Sequence, residues 1–190
     1  MGADARTRLL LLAVLLSAWV PARAEVFHSR DSGLATAFPT AESFEATTRV
    51  LDARQAEQIE SRSGTKLASR LVRIHVAQRT GGEIVGYGYL ETHTVRSLPE
   101  TILVAVDPGG KVLGVHLLAF HEPPEYLPTP RWLDQFGQRG LDEDLWLRRG
   151  IAGMSGSTLT AQSITAAVRR ILAVHEVVLS TPPLATAHQP

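Results

Sequence analysis

The 190-residue sequence contains no cysteine. That absence removes disulfides, thiolate-ligated iron–sulfur clusters, c-type haem attachment, cysteine nucleophiles and a lipid-modified cysteine together. Any redox chemistry then needs an organic cofactor, or a haem or metal held by histidine and carboxylate. Charge of one sign is not in excess either: 19 Lys and Arg face 19 Asp and Glu. A nucleic-acid partner normally demands a basic surplus, so that class is set aside. There is no Gly-x-Ser-x-Gly elbow, Walker loop or dinucleotide fingerprint, and a serine hydrolase has no nucleophile turn to stand on. No internal repeat or low-complexity tract is visible.

The front of the chain reads as a secretory signal. Arg6 and Arg8 form a basic start, residues 9–20 an apolar core, and Ala22-Arg23-Ala24 a small-x-small cleavage site. The apolar run is short of the about 20 residues that span a bilayer. Cleavage after Ala24 would leave a periplasmic or otherwise extracytoplasmic protein with no further long apolar run, expected to be soluble; an uncleaved anchor is the alternative. Without Arg6, Arg8, Arg23 and Asp4 the charges become 16 basic and 18 acidic, a net of −2. The expected organisation is a signal peptide at 1–24, a loosely attached leader at 25–43, one folded domain at 44–180, and a flexible tail at 181–190.

Within the domain, residues 44–50 read as a short strand or turn. Residues 51–62 read as a helix stopped by Gly64. Residues 71–77 alternate apolar and polar as a strand does, Gly81-Gly82 marks a hairpin turn, and residues 83–91 return with Tyr87 and Tyr89 on one face. Residues 101–106 and 111–120 form another strand pair across the turn Asp107-Pro108-Gly109-Gly110. Strands joined by short turns predict an antiparallel meander. A helix follows at 161–174, with Ile164, Val168, Ile171 and Leu172 on one stripe and Arg169-Arg170 off it. The fold class is α+β: an antiparallel sheet with flanking helices.

Just before that last helix runs Gly153-Met154-Ser155-Gly156-Ser157-Thr158-Leu159-Thr160. Ser and Thr are favoured helix caps, and a capped helix is one reading of the stretch. The other reading is an anion site. The first turn of a helix has unpaired N–H groups and the positive dipole end, which suit a phosphate.

The string Ser155-Gly156-Ser157-Thr158-Leu159-Thr160 resembles the Ser/Thr-Gly-Ala-Thr-x-Thr motif of the FMN-binding domain family. That domain occurs in the G subunit of the Rnf electron-transport complex, in the C subunit of the sodium-pumping NADH:quinone oxidoreductase, and in stand-alone extracytoplasmic proteins. Gly86-Tyr87-Gly88-Tyr89 and residues 104–118 sit where the family places its Gly-Tyr-Gly segment and hairpin. Glu91-Thr92-His93-Thr94-Val95-Arg96, and Glu122-Pro123-Pro124-Glu125-Tyr126-Leu127-Pro128 followed by Trp132 and Gln135-Phe136, are similar to the stand-alone members. The family's Ala is Ser157 here, and its Asp six residues before the modified Thr is Ala152.

The resemblance implies FMN as cofactor. Its phosphate would be held at, or covalently linked to, Thr158, with Ser155, Gly156, Ser157 and Thr160 shaping the turn and Glu122, Thr92 and His93 on the ring side. It implies an electron carrier without catalytic residues of its own. The expected partners are redox proteins, a membrane electron-transport complex, and a flavin transferase if the link is covalent. Trp132 and Phe136 read as core aromatics. Two alternatives stand beside this reading. One is an FMN-free docking or sensory subunit of the same fold. The other is a metal site gathered from His75, His93, His116, His121 and Glu122, although no compact metal-ligand spacing is present.

Overall fold

A computed structural model describes residues 25–179. The signal-peptide and tail readings therefore lie outside the described residues. In chain order the elements are β1 (Glu25–Val26), α1 (Arg30–Ala37), β2 (Ser43–Val50), α2 (Ala53–Ser63), β3 (Leu71–Gln78), β4 (Ile84–Thr94), β5 (Pro99–Val106), β6 (Val112–Phe120), α3 (Pro130–Leu133) and α4 (Thr158–Leu179). Single 3₁₀ turns occupy Pro124–Tyr126 and Asp134–Phe136. The six strands form one antiparallel sheet in the order β1-β6-β5-β4-β3-β2. Strands β2 to β6 are the expected meander, and β1 adds to the β6 edge.

Alternation along the strands gives the sheet two different faces. One carries Val76, Tyr89, Ile102, Val104 and Val115 against Ile164, Val168 and Leu172 of α4. Each such aliphatic side chain, fully buried, contributes roughly 1.5–3 kcal/mol. Helix α2 packs beside α4. It starts with a capping box between Asp52 and Gln55 and ends at Gly64, whose φ of 68° is the left-handed cap conformation.

The opposite face is covered by α1, where a loose leader was expected. Leu34 and Phe38 are buried over Ala77, Leu103, Ala105 and Leu118. The glycines of β4 make the room. A Cβ on Gly86 would stand 2.5 Å from the Phe38 ring, and one on Gly88 2.7 Å from Leu34.

Helix α4 differs from its sequence reading in two respects: it runs over Thr158–Leu179, beyond the expected 161–174, and it buries one of its arginines. Arg169 is buried, not off the apolar stripe. Its guanidinium lies 4.2 Å over the Trp146 ring and donates to the carbonyls of Ser63 (2.8 Å) and Asp142 (2.7 Å). Ser63 is the last residue of α2, so the cation sits at the negative end of that helix's dipole. No helix among the described residues is long and apolar enough to cross a membrane.

Candidate functional site

The stretch before α4 is fixed by its neighbours rather than by its own side chains. Ile151 is fully buried and anchors the approach. At Ala152 the backbone is held twice: Trp132 Nε1 donates to its carbonyl at 2.7 Å, and its N–H donates to Gln135 Oε1 at 2.8 Å. Trp132 and Phe136 are core, as expected. Their rings meet edge to face at 5.3 Å, and only the indole N–H reaches out to the turn. Farther along, Ser157 Oγ donates to the carbonyl of Glu125 at 3.2 Å. The turn is therefore clamped to the proline loop and to α3. Trp132 and Gln135 were read as packing or motif residues. Their spacing of three, which puts both on one side of a helical turn, is the only local hint of a shared grip.

Between those clamps the backbone is open. Gly156 has φ 80°, and neither it nor Gly153 has an atom within 4 Å of where a side chain would stand. Ser155, Thr158 and Leu159 are exposed, while Ser157 and Thr160 are buried. The Thr160 hydroxyl thus faces inward, and Ser157 uses its own on the proline loop. The first intrahelical bond of α4 runs from Ala161 N–H to Ser157 at 3.1 Å. The amides of Thr158, Leu159 and Thr160 precede it and have no helical acceptor. No side chain among the described residues caps them, and the first turn carries no acidic residue. A 22-residue helix thus presents free donors, a positive dipole end and an accessible threonine hydroxyl at one place.

Glu122 is buried, and its Oε1 accepts from the backbone N–H groups of Arg96, Ser97 and Leu98 at 2.9, 2.7 and 2.8 Å. Burial disfavours its charge, but three backbone donors outweigh it and hold the carboxyl below the usual carboxylate range. In this structure its work is to close the β4–β5 loop onto the proline loop. Arg96 lies at the tip of that loop, with its guanidinium 4.4 Å over the Tyr126 ring and 3.3 Å from the Tyr126 hydroxyl.

Thr92 and His93 are neighbours on β4, so their side chains leave opposite faces and cannot both flank one ring from the same side. Thr92 Oγ1 pairs with Thr101 Oγ1 at 2.9 Å. His93 faces α4, with Nε2 2.6 Å from Glu100 and Nδ1 3.5 Å from Glu91, which is also paired with Arg170. Burial opposes charge on His93, yet the two carboxylates carry its pKa up to about 9. The histidines do not converge. His75 pairs with Gly88 on the α1 face, and His121 Nδ1 lies 3.0 Å from the Pro99 carbonyl. Among the described residues no group of three or more His, Cys, Asp or Glu is arranged for a metal.

A cavity of about 460 Å³ runs along the β6 edge, lined by Phe27, Leu113, Leu117, Leu127 and Leu133 among others. It borders the far end of the proline loop, whereas the Thr158 turn lies on the open surface.

The sequence model of the FMN-binding domain matches residues 96–173. Over that span the chain is similar to an FMN-binding domain. The matched span of that domain begins at Arg96 and includes Glu122, the clamped turn and most of α4. No curated protein matches the chain. The fold is similar to the crystal structure of NqrC from Shewanella oneidensis, with a TM-score of 0.51 at 15% identity, over 93% of this chain and 100% of that one. The match indicates FMN as the cofactor. The uncapped amides and exposed hydroxyl of the turn fit its phosphate.

Proposed function

We propose that this is an extracytoplasmic electron-transfer protein whose FMN is held by its phosphate at the turn 155–158. The observation that carries the reading is an exposed Thr158 at the start of a long helix whose first amides no side chain caps. Those donors would hold the phosphate oxygens, and Gly156, without a side chain, lets the group approach the backbone. Thr158 would supply the hydroxyl for a phosphoester link: a flavin transferase would move the flavin phosphoryl group onto it from a flavin dinucleotide, breaking the donor's pyrophosphate bond, releasing a nucleoside monophosphate and passing the hydroxyl proton to base or solvent. Bound FMN supplies one- and two-electron redox chemistry, and the protein's share is to place and tune it. A turn lying on the surface suits exchange with redox partner proteins, including a membrane electron-transport complex. A covalent tether also has a purpose outside the cytoplasm, where a lost flavin would not be readily replaced. No ring-side role is proposed for His93, whose two ring nitrogens face Glu100 and Glu91.

The test is the intact mass of the protein made in its natural compartment. The expected result is one added FMN on the mature chain, lost in Thr158→Ala. An unmodified mass, with flavin released on denaturation, would replace the ester with non-covalent binding at the same turn. A colourless, unmodified protein from a host with its flavin transferase would overturn the carrier reading.

A further inference from the structure

We infer that Arg96 is the cation that pairs with the FMN phosphate, and that Tyr126 and Glu122 exist in this site to hold it there. This deepens the preceding proposal and rests on it. The turn itself has no charged residue between Ala152 and Thr160, so backbone amides alone would have to balance an anion. Arg96 is an exposed guanidinium held in place at three points. Its backbone N–H donates to Glu122 Oε1 at 2.9 Å, its plane lies 4.4 Å over the Tyr126 ring, and NH1 donates to the Tyr126 hydroxyl at 3.3 Å. Of these partners only Glu122 is charged, and its carboxylate attracts the guanidinium at longer range without forming a close ion pair. The guanidinium makes no ion pair among the described residues, and Glu122 spends its oxygen on backbone amides. The ring beneath it belongs to the residue after Glu125, whose carbonyl accepts from Ser157 Oγ at 3.2 Å. Turn, proline loop and Arg96 loop are thus tied in series, with an unspent cation at the end of the series.

An aromatic platform fixes the guanidinium plane while leaving its outward N–H fork free. That fork matches a phosphate's oxygens in a way a lysine does not. Arg96 on this account is a binding residue for the phosphate, distinct from any contact to the flavin ring.

Riboflavin has the ring and lacks the phosphate, which makes the test selective. The full mature chain is produced in a host without flavin transferase and titrated with FMN and with riboflavin. Wild type is expected to prefer FMN, with a preference that shrinks as salt rises. Arg96→Ala is expected to weaken FMN binding about 10-fold, the size of one exposed charge-assisted contact, with riboflavin affinity unchanged. Arg96→Lys, which keeps the charge and loses the planar fork, falls between the two and covers the case in which the alanine variant does not fold. Equal loss of both flavins, or no loss of FMN in either variant, overturns the role of Arg96 and leaves the turn reading intact. A wild type that binds neither flavin overturns the turn reading itself, and the role of Arg96 with it.

Discussion

The two ends of α4 treat polar groups in opposite ways. Toward the C-terminal end every buried polar side chain has a partner: Arg169 has carbonyls and Trp146, Arg170 has Glu91, and His175 Nδ1 meets Tyr89 OH at 3.0 Å. At the N-terminal end three amides have none, and the nearest hydroxyl side chain, Ser157, is committed elsewhere. A buried polar group left unpaired costs free energy, and a surface one is paired by water until a ligand arrives. The first end is thus built for stability. The second is left available for a ligand and is positioned from outside by Trp132, Gln135 and Glu125.

If that division holds, substitutions at the two ends should separate stability from flavin. Arg169→Ala carries the largest expected effect. It strands the carbonyls at the end of α2 and removes the Trp146 contact, and should cost about 3 kcal/mol in urea unfolding. The folded fraction should still take FMN. Next comes acid. Burial pushes the His175 pKa down to about 4. The unfolded chain therefore takes up the proton first as pH falls, and stability is lost between about 6.5 and about 4. For this group alone the loss approaches about 3 kcal/mol. His175→Gln should flatten that arm of the stability–pH curve. The smallest effect belongs to the other end. Thr158→Ala touches an exposed side chain and should shift stability by less than about 0.5 kcal/mol, while removing the covalent flavin link proposed for this residue.

Much of the fold was legible in the sequence. The strand alternation, the turns Gly81-Gly82 and Asp107–Gly110, and the stripe of α4 are local signals, and the structure follows them. Helix α1 was not legible, because its two anchors, Leu34 and Phe38, gain their meaning only from the glycines of β4 some fifty residues on. Gly86-Tyr87-Gly88-Tyr89 held the complementary clue: one face bare, the other aromatic. Arg169 misled for a similar reason, since a charge beside an apolar stripe reads as solvated unless a distant helix ends against it.

In the site, Thr158 and its turn were visible as a short motif. Glu122, expected beside the cofactor, instead spends its oxygen on the amides of residues 96–98. That pairing is invisible along the chain, because 24 to 26 residues separate the partners. Arg96 closes the Glu91–Arg96 segment with nothing local to mark it, and only its stacking on Tyr126 singles it out.

The first amides of α4 are the proposed seat of the FMN phosphate. Backbone amide NMR of the flavin-free mature chain tests it most directly, by adding FMN and then, separately, riboflavin. The amide signals of Gly156 to Thr160 should move most with FMN and stay nearly still with riboflavin. Binding of FMN that leaves those amides unmoved would contradict it.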